Sequence, residues 1–259
     1  MSTRCSGVLF ALALLAASFL ITGPHGQGQG RTEPRGQGET VEEHVPVAEY
    51  AAPEPSDAQE RALRRLRGHR FDKRDNQPLA ELPPGVENLP LINHWDNNLP
   101  ALPAAQSDLV VLGTITDDKA YLSPDKTGVY SEFGVKVEAV LKSDARAPVT
   151  PGNVITATRE GGGVRFPSGR TQYYRIHRQG LPRAGGRYLL FLKENQDAQD
   201  FTIITGYALS GGEVLPLDGG GAKERAGRLP FAAYEGVDES TFLDDVRKAI
   251  SCPSCVTTN

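Results

Sequence analysis

The longest regular alternation of apolar and polar positions runs over 129–141. Val129, Phe133, Val135, Val137, Ala139 and Leu141 share one parity, with Ser131 the small exception; Tyr130, Glu132, Lys136 and Glu138 share the other. A period of two with one polar face predicts an antiparallel strand packed on one side. Its length predicts a bend, and Gly134 is the candidate bulge or kink. Before it, 109–116 is apolar on both parities at its start, which predicts a central, two-sided strand. Further strands are predicted at 154–159, 171–177, 187–193, 201–207 and 212–217, separated by Pro-Gly, Gly-Gly-Gly, Pro-Ser-Gly and Ala-Gly-Gly turns. Short strands at regular spacing with such turns indicate a mainly β barrel or sandwich.

Helical periodicity marks two segments. Over 240–250, Phe242, Leu243, Val246 and Ile250 form a stripe, expected to cover an open barrel end or a sheet edge. Over 56–69, Ser56 and Gln59 form a capping-box pair, but only Ala62, Leu63 and Leu66 are apolar, which predicts weak docking.

The segment EGGGVRFPSGR at 160–170 has the ingredients of a phosphate loop. It lacks Walker spacing, and no helix follows it to aim N–H groups at an anion. It reads instead as two turns around a short strand at 164–166.

Composition adds the ends of the chain. Arg4 followed by 14 uncharged apolar residues at 8–21 reads as a signal peptide over 1–22, because a bilayer span needs about 20 residues. The protein is therefore expected to be exported, periplasmic or extracellular, with no span after signal removal. Residues 23–55 are rich in Gly, Gln and Glu and read as a disordered tail. Residues 56–74 form a charged helix. Its basic block follows an acidic one, which reads as a solvated helix pairing with the acids, or else as a basic arm for an acidic polymer. Residues 75–106, with repeated Pro and the sole Trp, Trp95, read as a linker or strap. The globular domain is expected over 107–251 and a CxxC tail over 252–259. The net charge of −4 becomes −5 without Arg4, so no nucleic-acid partner is expected.

The order SDLVVLGTIT, YSEFGVKVEAVLKSD, GNVITATRE, GLPRAGGRYLLFLKEN, FTIITGY over 107–207 resembles the netrin-like module of tissue inhibitors of metalloproteinases, a pattern shared with exported bacterial proteins. The resemblance implies an OB-like closed barrel. Those inhibitors bind zinc through an N-terminal cysteine and lock the barrel with disulfides. This chain has neither after signal removal, so only architecture is carried over.

Candidate chemistry is sparse. Cys252 and Cys255 sit at a helix C-terminus, where the dipole opposes a thiolate, and zinc would need two more ligands. A local disulfide is the preferred reading; redox, metal or intermolecular roles are the alternatives. Arg159, Arg165, Arg170, Arg175, Arg178, Arg183 and Arg187 crowd into 29 residues opposed only by Glu160. Within that run Arg165, Arg170, Tyr173, Arg175 and His177 are the candidate ligand-binding residues, for an acidic polymer. No catalytic motif, metal site or cofactor is expected, and the aspartates near 117–125 and 197–200 read as polar turns. The expectation is a non-enzymatic binding module of the cell envelope, for an acidic polymer or a protein partner. The alternative is a secreted inhibitor, or an enzyme without a recognisable motif.

Overall fold

The computed structural model describes residues 44–73, 77–83, 99–219 and 230–252. The expected signal peptide, Trp95 and Cys255 lie outside these residues, as does 23–43 of the expected tail. The fold is mainly β. Strands β2 (Leu109–Leu122), β3 (Val129–Ser143), β4 (Val154–Glu160), β7 (Arg187–Asn195), β8 (Asp200–Ser210) and β9 (Glu213–Pro216) form one sheet in the order β4-β3-β2-β7-β8-β9. Strand β2 is central, as its two-sided apolar start predicts. The sheet curls until β4 meets β8 in parallel at Ala157–Phe201 and Thr158–Thr202. The join of this curled sheet extends over those two residue pairs, short of the closed barrel expected.

A second sheet joins β1 (Val47–Glu49), β5 (Gly162–Arg165) and β6 (Thr171–Tyr174), with β1 parallel to β5. This corrects the expected tail: 44–55 is ordered, with Val45 and Ala48 buried. The Gly/Gln bias ends near residue 40, and VPVAEY supplies enough apolar surface to dock. The glycine run does turn the chain. Gly162 has φ +148, and a Cβ on it would sit 3.1 Å from that of Ala120 and 3.2 Å from Ser131 Oγ. Strand β6 ends at Tyr174, three residues before the predicted limit.

The alternation in β3 holds where it matters most: Phe133 and Val135 are 0 % exposed and Val137 2 %. With Leu109, Val111, Ile115, Leu190 and Ile203 they fill the inside of the curl. Beyond Val137 the phase flips. Leu112 faces Ala139 and Gly113 faces Val137, so Glu138 is an extra, bulged residue. Ala139 and Leu141 therefore join the opposite core rather than that of Phe133. A second irregularity lies opposite Gly134, where Thr116 is the extra residue of β2 and donates to the Gly134 carbonyl at 3.1 Å. The bend is near the predicted glycine, but the inserted residue is on the neighbouring strand.

Helix α2 (Glu239–Ser251) covers a sheet face, not an end or an edge. Phe242, Val246 and Ala249 are buried against Val110, Leu112, Leu189, Phe191 and Tyr207. Tyr207 lies 4.7 Å from Phe242, ring to ring, and its hydroxyl donates to the Ala101 carbonyl at 2.6 Å. Asp238 caps the helix by accepting from Ser240 N and Thr241 N. Cys252 ends it and is disulfide-bonded.

Helix α1 (Ala58–His69) begins one residue later than predicted, with Asp57 as its cap instead of Ser56. Its apolar stripe does not dock it, since Leu66 is 44 % exposed. Three cations at and beyond its end do. Arg67 reaches Glu132 at 3.1 Å, Arg70 reaches Asp200, and Lys73 reaches Glu160 at 2.7 Å. Phe71 stacks on Tyr130 at 4.7 Å. Gly68 permits the approach, because a Cβ there would lie 2.8 Å from Pro124 Cδ. Tyr130 and Glu132 therefore lie under a helix, not on the polar open face their parity predicts.

These charges set the acid stability. Burial pushes the Asp108 carboxyl up, but hydrogen bonds from Lys193 and Glu194 N outweigh it and leave it below its usual value. At Asp125 burial is outweighed by Thr127, Asp72 and Ser123, and at Glu138 by Arg187 and Thr114. Glu132 goes the other way: burial raises it, against Arg67 and Arg64. A carboxyl lowered in the fold stabilises above its unfolded value, near 4, and that stability is lost as pH falls through the folded value. A raised one costs stability as pH rises through that window. Glu54 and Asp238, both exposed, are lowered as well by their hydrogen bonds, so lowered carboxyls outnumber the one raised, and the melting temperature should be flat from about pH 6 to 8 and fall below about pH 4. A melting temperature that rises on acidification below pH 4 would contradict this balance.

Candidate functional site

The predicted arginine cluster does not survive folding as one patch. Successive side chains of a strand point to opposite faces, and carboxylates arrive from distant segments. Arg159 is buried on Asp218 at 2.6 Å. Arg187 pairs with Glu138 at 2.8 Å and Glu239 at 2.7 Å. Arg165 pairs with Glu49 of β1 at 3.1 Å. Arg170 reaches Glu81 at 3.1 Å and the Leu82 carbonyl at 2.8 Å, tying residues 79–83 to the hairpin turn. Tyr173 is 42 % exposed, with the Arg175 guanidinium 5.8 Å from its ring centroid. His177 is exposed beyond the end of β6. The hairpin thus brings Tyr173 and Arg175 together, while Arg165 and Arg170 serve as struts.

The aspartate groups also separate. Asp118 accepts from Ala184 N and lies 3.4 Å from His44, Asp125 closes its own turn through Ser123 and Thr127, and Asp200 is buried on Arg70. Among the described residues no group of three or more His, Cys, Asp and Glu is placed to hold a metal ion.

A different site emerges beside the hairpin. Strand β7 pairs with β2 only over Leu109–Thr114. Beyond that point the far half of β2 has β3 alone as its ladder neighbour, and two other segments wall it in. One is 44–55, held by β1 pairing with β5; the other is α1. Between them lies a groove of about 780 Å³. Its lining carries five Lys and Arg against three Asp and Glu, in a chain of net charge −4.

The cations are held in place. Arg61 donates to the Pro55 carbonyl at 2.5 Å and the Ser56 carbonyl at 2.7 Å. Lys126, in a left-handed turn at φ +59, donates to the Tyr50 carbonyl at 3.4 Å and lies 4.7 Å from the Tyr50 ring centroid. Neither forms an ion pair among the described residues, although the charge of Arg61 is near enough to Glu54 to lower its carboxyl. Arg64 pairs with Glu60 and lies 4.2 Å over the Tyr121 ring. Burial pushes the Tyr121 phenol up, and Arg64 pulls it down. Arg65 pairs with Glu54 at 2.8 Å, and that hydrogen bond lowers the Glu54 carboxyl.

No family model matches the chain, and no curated protein matches it.

The groove thus sets two cations, Arg64 and Lys126, beside aromatic rings, among apolar side chains and the carboxylates Glu49, Glu54 and Asp118. Sequence reasoning had the basic block of 56–74 in view but not its split. Arg64 and Arg65 pair with acids near them in sequence, as expected of a solvated helix; Arg67, Arg70 and Lys73 anchor the helix; Arg61 is left for the groove. Tyr50, Tyr121 and Lys126 carried no signal, since only the packing of β1 on β2 assembles them. No helix among the described residues is long and apolar enough to cross a membrane.

Proposed function

We propose that this chain is an exported, non-enzymatic binding module of the cell envelope, and that the groove between 44–55, α1 and β2 is its seat for an anionic partner. The observation that carries the reading is the pair of cations, Arg61 and Lys126, held on the groove without an ion pair among the described residues. A fixed positive charge in a partly enclosed site attracts an anion more strongly than one in open water. The hairpin residues Tyr173, Arg175 and His177 extend the cationic and aromatic surface. The strand order supports an OB-like, netrin-like scaffold: β2 lies between β3 and β7, and β4 meets β8 in parallel. That connectivity is the one a five-stranded Greek-key barrel uses, and such barrels carry ligands on their faces and loops. Cys252 paired with Cys255 would close the end of α2 and suits an oxidising compartment.

The test is retention on a heparin support. The wild-type chain should be held at low ionic strength and released by salt. Arg61→Ala with Lys126→Ala should elute at clearly lower salt. Arg247→Ala with Lys248→Ala removes the same formal charge from α2, where Asp244 and Asp245 already pair with it, and should elute close to wild type. Flow-through of the wild type at low salt, or equal shifts in both variants, would overturn the reading.

A further inference from the structure

The walls of the groove say more about the anion. Its apolar lining is aliphatic and proline-rich: Val47, Pro53, Pro55, Leu122 and Pro124. Prolines carry no N–H, so these five residues offer an apolar strip with no side-chain donor, beside the charged groups of the same groove. A hydrocarbon segment loses nothing there and gains by leaving water. The cations lie at aromatic rings, Arg64 over Tyr121 and Lys126 by Tyr50, which places charge and apolar surface side by side. The volume of about 780 Å³ falls within the usual range for one small molecule, roughly 300–1,000 Å³.

Resting on the reading of the groove as an anion seat, we propose that it takes a single amphiphilic anion: a compact carboxylate or phosphate head among Arg61, Arg64 and Lys126, and an unbranched apolar tail along Val47, Leu122 and Pro124. The occupant is a free, monomeric molecule rather than a lipid within a bilayer, because the groove is walled by 44–55, α1 and β2 and a tail must leave the membrane to enter it.

Titration calorimetry on the full exported chain tests this with hexanoate, octanoate, decanoate and octyl phosphate, all below their micelle concentrations, and with acetate and inorganic phosphate as headgroup controls. Affinity should rise with chain length, up to about fourfold per added methylene. Acetate and phosphate should bind at least a hundredfold more weakly than decanoate. Arg61→Met with Lys126→Met keeps the aliphatic stems and should weaken decanoate at least tenfold. Ala52→Trp leaves every charge in place and should block decanoate by filling the groove. Circular dichroism on each variant separates loss of binding from loss of fold; if the double Met variant unfolds, Ala52→Trp carries the test. Binding of acetate or inorganic phosphate as tight as that of decanoate, with no gain per added methylene, would overturn the amphiphile and leave the anion seat standing. No binding of any anion would overturn both. Co-flotation with phosphatidylglycerol vesicles, without saturable binding of free decanoate, would assign the surface to a bilayer and overturn the monomeric ligand.

Discussion

Asp218→Ala should destabilise the protein by about 3–5 kcal/mol, a large part of the roughly 5–15 kcal/mol that holds a domain folded. The Arg159 and Asp218 side chains are 2 % and 0 % exposed. Arg159 also donates to the carbonyls of Gly180 at 2.7 Å and Ile204 at 3.1 Å. Asp218 also accepts from Thr205 at 2.7 Å and Gly180 N at 3.0 Å. One buried pair thus joins β4, β8, the segment at Gly180 and the chain after β9. Removing the carboxylate leaves a guanidinium inside with no counter-ion and no route to water. Replacing both, as Arg159→Met with Asp218→Leu, should cost clearly less than Asp218→Ala alone, because the stranded charge is gone. Urea midpoints at unchanged slope would measure both. A loss below about 1 kcal/mol for Asp218→Ala would show that the pair is not enclosed as described.

Arg70→Ala should cost on the order of 2–3 kcal/mol. Its guanidinium bridges the place where the sheet meets itself. It donates to both Asp200 carboxylate oxygens and to Thr158 Oγ1, from β8 and β4. Asp200 is wholly buried, while Arg70 remains 27 % exposed. The asymmetry fixes the sign of the comparison. Without Arg70 a buried carboxylate keeps only the Thr158 hydroxyl; with Asp200→Asn the arginine can turn to water, so that variant should lose less. The partial exposure of Arg70 is why the expected cost lies below that of the enclosed Arg159 pair. Loss of Arg70 also removes one of the anchors of α1, so amide exchange in Ala58–His69 should accelerate and decanoate binding should weaken together. Faster exchange with unchanged binding would separate the helix from the groove.

The main strands along the chain, the inward parity of Phe133 to Val137 and both helices were legible in the sequence, because each rests on local periodicity. Phe133, Val135 and Val137 lie inside as the alternation requires, and Phe242 and Val246 face the core as their spacing requires. The phase flip at Glu138 was not legible. A bulge changes which face later residues occupy, and Ala139 and Leu141 look the same in sequence whichever core they join. The order in 44–55 was missed because acidic and proline content outweighed three apolar residues whose partners lie more than a hundred positions away.

The candidate site divides the same way. The sequence by itself determined that cations are abundant in 56–74 and 159–187, that cysteines are too few for a disulfide scaffold, and that the fold must be a twisted sheet with an apolar inside. Only the tertiary structure decided which cations are spent on carboxylates. Arg159, Arg165, Arg170 and Arg187 meet Asp218, Glu49, Glu81 and Glu138, while Arg61 and Lys126 form no ion pair among the described residues. The physical reason is range: periodicity is set by neighbours along the chain, but the free energy of a charge depends on whatever lies within a few ångströms of it, and folding brings those groups from anywhere in the sequence.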